Sequence, residues 1–341
     1  MVNPARGLAE QFVRQSPTTL LAFGIALSLV DFLALYAAAA KEGVLHVSQG
    51  IGLLNNYGLF STIIGNAAFL YVAKKYYDSV CSISTSKAVA NTAVIETSLL
   101  RLTAMIKMHR KHQFLIYLLV TIGALFWLSN VGFHVIGNPE VRWGHKVFDS
   151  PDHPLTFVAS RLHNLYTWLI IMPLVGHVFI YSSIQLRQAI TIASRGGALT
   201  YDLLNPDKRG GFVFVDKANI AFNVVVALVY IQVTMHVETF AKMNTEHLIA
   251  YIALTALLVG INRMFLGGIY GTIKTLRLES LNEVKDKVYM NDKMSFEILK
   301  YCYERRISAS SIVNFMVNPG AIVISGIVKI WPVILKTFTG A

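Results

Sequence analysis

Four histidines and one aspartate have side chains that do chemistry and stand in or beside long apolar runs. His163 and His177 are fourteen residues apart in the run from Arg161 to Ile184. On one helix that spacing puts them on nearly the same face, about 21 Å apart along the axis. That spacing resembles the one b-type cytochromes use to stack two haems, and haem iron takes axial histidines. A b-type haem needs a second ligand from a facing helix. His134 and His236 each end an apolar run on the side where His163 lies, so either can serve. The alternative is a set of buried, hydrogen-bonded histidines, since buried polar groups normally find partners. A third reading joins His134, His163 and His236 with His153 around a transition metal, which imidazole suits. No short metal-binding spacing supports it, and histidine also collects at membrane interfaces.

Asp31 lies inside the first apolar run, Thr18 to Ala40. An intramembrane carboxylate costs at least ~2.5 kcal/mol, so it needs a partner or water. Arg161, on the fourth run, is the expected partner of Asp31 in a charge pair. A protonated Asp31 or a purely structural pair remains open. The loop Asn205-Pro206-Asp207-Lys208-Arg209-Gly210-Gly211 has turn chemistry. Pro fixes one backbone angle, Asp can cap a turn and paired glycines accept positive φ. It reads either as a ligand or gating element or as a tight turn before a helix capped near Asp216. There is no Gly-rich phosphate loop, no nucleophile elbow and no pair of carboxylates in one run, so soluble hydrolase or kinase chemistry has no support.

The elements that position these residues follow from hydropathy. The chain has 341 residues, of which 14% are charged. A soluble domain carries about 25%. Its mean hydropathy is +0.52. The expected fold is all-α: a single polytopic membrane domain of six or seven transmembrane helices with long cytoplasmic helical extensions. Expected spans are 18–40, 56–73, 114–136, 160–184, 218–237 and 247–269, with 312–338 either spanning or lying at the interface. Helical cytoplasmic segments are expected at 76–112, 185–217 and 274–308. The first run is too long for a signal-peptide core of 7–15 residues, so a retained helix is expected. The net charge of +11 gathers between the runs, as in cytoplasmic loops facing anionic lipid. That places the N-terminus inside and gives no reason to expect nucleic-acid binding. Cys81 and Cys302 both fall in expected cytoplasmic stretches, where a disulfide is not expected.

Arg161 through Phe212 resembles a group of uncharacterised bacterial multi-pass membrane proteins. Those carry an Arg- and aromatic-rich span, a polar helix and a loop reading roughly His-Pro-Asp-x-x-Gly-Gly-Leu-Gly-Phe. Here Asn205 replaces the histidine, and the residues after Gly211 depart from the pattern. The resemblance implies the bacterial cytoplasmic membrane and no activity. The C-terminal third is similar in architecture to insect-type seven-helix chemoreceptor channels, whose last helix has a cytoplasmic anchor and a pore-lining half. Residues 284–303, followed by Ile312 to Phe338, look like that ending, although the short motif usual in that helix is not evident. Asn318-Pro319-Gly320 breaks the last run, because Pro319 removes a backbone donor. Gly320, Ala321, Ser325 and Gly326 would let copies of the helix approach closely.

The expectation is therefore a channel-like or receptor-like membrane protein, non-catalytic, a homo-oligomer or part of a membrane complex, with no cofactor. The alternatives are a membrane electron carrier binding haem b through His163, His177, His134 and His236, and a scaffold subunit.

Overall fold

The computed structural model describes residues 8–47, 52–86, 88–89, 152–205, 209–239 and 267–286, with isolated positions 96–97, 100, 260, 293–294 and 297–298. The regular elements among them are helices, and no strand is found among the described residues. Helix α1 (Leu8–Arg14) is short. Helix α2 (Pro17–Lys41) starts cleanly: Pro17 takes a first-turn position, and the Ser16 hydroxyl accepts from the Thr19 N–H at 3.0 Å. Both satisfy or avoid the donors that a helix start leaves open. Among the described residues, α2 is the one helix long and apolar enough to cross a membrane.

Helix α3 (Tyr57–Cys81) is capped by Asn56, whose Oδ1 accepts from the Leu59 N–H at 3.0 Å. It runs antiparallel to α2. Gly24 meets Ala67, Ser28 meets Ile63, and beyond Lys41 the N–H groups of Leu53 and Leu54 bond to the carbonyls of Val44 and Leu45. A Cβ on Gly24 would stand 2.7 Å from the Ala67 Cα, so the two backbones touch there.

Helix α4 (Pro154–Leu165) passes without a break into a π-helical segment (Tyr166–Ile171) and then into α5 (Met172–Arg195). The whole rod is about 60 Å long at 1.5 Å per residue. Pro173 has no N–H to return to residue 169, and a wide i→i+5 turn before it is one way to absorb that loss. A π turn holds about one residue more than an α turn, roughly 100° of extra rotation. His163 and His177 lie on either side of it, so they leave the common face that an unbroken α-helix would give them. Helix α6 (Val213–Thr239) packs most extensively on α3.

Two cores result. The larger joins α1, α3, α5 and α6 around Tyr76, Phe179, Phe214 and Phe222. The smaller sits at the opposite end, around Leu35, Ala39, Leu53 and Leu59. The two ends are called here the Lys41 end and the Cys81 end. At the Cys81 end the chain departs from expectation. Helix was expected across 76–112, yet after a short turn (Ser82–Thr85) Ser86 is extended and Val89 pairs with Leu199 in an isolated antiparallel bridge. Tertiary bonds outcompete helix here: the Ser86 hydroxyl donates to the Gly211 carbonyl, and the Thr200 N–H to the Ala88 carbonyl at 2.9 Å.

Candidate functional site

The site is built where α2 lies against α4. Two contacts set the helices. The Ser28 hydroxyl donates to the Ile63 carbonyl at 2.7 Å and fixes α2 on α3. At the Lys41 end Glu42 closes the start of α4. Its carboxylate accepts from the Leu155 N–H at 2.7 Å, the Thr156 N–H at 2.9 Å and the Thr156 hydroxyl at 2.7 Å. His153 holds the N-cap position of α4 but makes no side-chain capping bond there, so a remote acid does the capping. Burial works to raise the Glu42 carboxyl, but the bonds from Thr156 and Leu155, with His153 nearby, hold it below its usual range. On a helix, residues eleven apart return to one face, as do residues seven apart. Glu42 thus shares a face with Asp31, and Thr156 with His163.

The consequence is a largely buried hydrogen bond between an imidazole and a carboxyl group. His163 Nδ1 lies 2.5 Å from Asp31 Oδ2, with His163 2% and Asp31 15% exposed. Asp31 was expected to pair with Arg161, and His163 to hold haem. The hydrogen bond found at Asp31 comes from His163, two residues along the same helix, and the Arg161 guanidinium lies 4.6 Å from the Phe157 ring centroid. In chemical terms, the pair carries −1 with Nδ1–H donating to a carboxylate, and 0 once His163 takes a further proton on Nε2.

Polar groups continue from the pair toward the Cys81 end. Tyr166 opens the π segment. The next residue, Thr167, accepts from Asn66 Nδ2 at 2.9 Å, and both are buried. His177 is buried on α5, its ring 4.4 Å from that of Tyr181. Further on, the Tyr76 hydroxyl and Ser183 Oγ are 2.5 Å apart, beside the fully buried Ser182. Lys74 pairs with Asp78 on the last turns of α3. Burial pushes the Tyr76 hydroxyl up to about 12, against the lowering effect of Ser183.

The other expected residues fall elsewhere. His236 lies on α6 near its end. His134, Pro206, Asp207, Pro319, Gly320, Ser325 and Gly326 lie outside the described residues. Among the described residues, no group of three or more His, Cys, Asp or Glu side chains is placed to hold a metal ion. The loop glycines serve docking. Gly210 and Gly211 have φ of +63° and +91°. A Cβ on Gly210 would stand 2.6 Å from the Tyr201 ring, and one on Gly211 would stand 2.5 Å from the Ala88 nitrogen. Asn205 is buried, its N–H bonded to the Asp202 carbonyl at 3.3 Å. Asp216, in the first turn of α6, accepts from Arg209 Nε at 2.7 Å and from the Tyr270 hydroxyl at 3.2 Å. These contacts favour the loop as a structural turn.

Sequence reasoning passed over Glu42, Asn66, Thr167, Tyr166 and Ser182. Asn66, an amide inside an apolar run, carried a usable signal. Glu42 did not, because its role depends on a helix start more than a hundred residues away. No family model, no curated protein and no solved structure matches this chain.

Proposed function

We propose that the chain is a multi-pass integral membrane protein with six or seven spans, channel-like and oligomeric rather than catalytic, whose working centre is the Asp31–His163 pair. The carrying observation is that pair, buried on the apolar helix α2. Asp31 lies about 15 Å from Lys41 along the axis, near the middle of a ~30 Å hydrocarbon core. Ionisable residues at that depth are expensive, and function is the default reading for them. Two further features support the reading. Phe23, Ile25, Leu29, Val30 and Leu33 on α2 are more than half exposed, a face suited to lipid or a second subunit. The Cys81 end gathers Lys74, Lys75, Arg187, Arg195, Arg209 and Lys217, which fits a cytoplasmic side. The Lys41 end is then external and the N-terminus internal.

The experiment is reconstitution of the purified protein in planar bilayers. Ion current is expected from wild type and lost in Asp31→Asn. A wild type that carries no current at any voltage or ion composition, or one that sediments as a monomer, removes the channel reading.

One observation favours the haem alternative. A carboxylate on Nδ1 is the usual support for an imidazole that ligates through Nε2, and His163 has that support. A Soret band in the purified protein, lost in His163→Ala, would replace the channel reading. A colourless protein after expression with added haem removes the alternative.

A further inference from the structure

The identity of the ion is legible in the polar atoms left over. Among the described residues, three buried side-chain atoms have no hydrogen-bond partner: Tyr166 Oη, Asn66 Oδ1 and Ser182 Oγ. Asn66 and Ser182 are completely buried. A buried polar group without a partner costs about 1–3 kcal/mol, and such groups are where buried water binds. Tyr166 and Asn66 are neighbours, and Ser182 follows about 24 Å further along the same rod at 1.5 Å per residue. Tyr166 stands one turn beyond His163, and Asn66 is bonded to Thr167 at the next position. Ser182 adjoins the Tyr76–Ser183 bond, and Asn223 is buried on α6. Lys74 and Asp78 close the series where α3 reaches the Cys81 end.

We infer that this seam between α3, the π segment and α5 holds water and carries protons between the Cys81 end and the Asp31–His163 pair. The inference rests on the membrane reading above and supplies its ion. The step balances simply. A proton arriving through water bonded to Tyr166 and Asn66 is taken by the lone pair of His163 Nε2. The pair goes from −1 to 0, with Nδ1–H still donating to Asp31. Release returns the proton to water and the pair to −1. A further titratable group beside the pair is the Tyr166 phenol of the π segment, close enough to feel the charge of Asp31. A proton passes along hydroxyl groups and water by exchange of hydrogen bonds, whereas sodium or potassium would have to move bodily through a packed core, so the path selects protons. The wide π turn suits this, because π segments loosen the backbone ladder and often mark functional sites.

The test is full-length protein in vesicles with an entrapped pH dye, driven by a potassium gradient and valinomycin. Parallel vesicles report sodium and chloride flux. Wild type should move protons and neither other ion. Asp31→Asn should fall to the protein-free background. Ser182→Val and Asn66→Leu, which remove the water-binding atoms, should lose most of the flux, and Ser182→Thr should keep it. Size-exclusion profile and circular dichroism identify a variant that has not folded, and Ser182→Ala then replaces Ser182→Val. Wild-type flux carried by another ion, or a folded Ser182→Val with wild-type proton flux, overturns the inference and leaves the membrane channel standing. Vesicles silent to every ion overturn both.

Discussion

Taking away one or both halves of the Asp31–His163 pair separates its structural worth from its functional one. Removing one member of a buried pair costs about 3–5 kcal/mol, whereas replacing both by apolar groups is often neutral or stabilising by about 1–4 kcal/mol. His163 is 2% and Asp31 15% exposed, so the two single variants should differ. His163→Leu leaves a carboxylate with a little solvent at its edge, which argues for the low end, ~3 kcal/mol. Asp31→Leu leaves a neutral imidazole short of one acceptor, about 1–3 kcal/mol. The double variant Asp31→Leu/His163→Leu should sit near wild type or above it, so the two changes should be strongly non-additive. The assay is reversible unfolding in mixed micelles, read by circular dichroism, with ion flux measured on the same preparations. The double variant should be stable and silent. Two results refute the reasoning. Single variants within about 0.5 kcal/mol of wild type would mean the pair is solvated like a surface site. A double variant whose loss equals the sum of the singles would mean the residues do not interact.

Other expectations follow from particular contacts. Gly211→Ala adds a left-handed strain of about 1–2 kcal/mol to a clash with the Ala88 backbone. Gly43→Ala, at φ +71° with open space around it, adds the strain alone. The first variant should therefore melt lower than the second in detergent, and equal melting temperatures would deny the docked loop. Gly24→Ala should lower the melting temperature more than Gly65→Ala, because the added Cβ meets the Ala67 backbone in the first and the movable end of Gln232 in the second. Glu42 has a depressed folded value, so its contribution is complete above the ordinary value of 4.5 and is lost as pH falls through the lower folded one. An acid titration of stability should show that phase in wild type and lack it in Glu42→Gln. For topology, Lys41→Cys should label from outside intact cells and Thr85→Cys only after permeabilisation, in a background with Cys81 and Cys302 replaced by Ser. The reverse pattern would invert the orientation. Burial raises the Cys81 thiol, so its own labelling at neutral pH should be slow.

Helices were the legible part, because apolar length needs only local residues. The runs at 18–40 and 218–237 fall inside α2 (Pro17–Lys41) and α6 (Val213–Thr239), with ends shifted by a few residues where caps decide. Paired glycines announced a turn with positive φ at Gly210 and Gly211, and that turn is present. What the turn docks against was hidden, since Ala88 and Tyr201 have no signature of contact. The site was half legible. Asp31 and His163 were each singled out, but for different chemistries. Charge alone favours Arg161 as the partner of an aspartate, and only the face that α4 turns toward α2, set by Glu42 on Thr156, brings His163 instead. The π segment was illegible, because the apolar pattern reads the same through an α or a π turn.

The partners Asp31 and His163 are 132 residues apart in the chain. At a synthesis rate of about 5–20 residues per second, the aspartate is made roughly 7–26 seconds before its histidine exists. If α2 enters the bilayer as it is made, it enters with its carboxylate unmatched, at a cost of about 2.5–3.5 kcal/mol that the rest of this apolar helix has to offset. Ser28 and Ile63 can join within the first few seconds, so an α2–α3 hairpin exists early and holds the acid in place. On that route, arrival of α4 gives the waiting carboxylate its partner. A nascent chain halted before residue 163 should keep that hairpin in a state that a membrane quality-control protease can recognise by its unpaired acid.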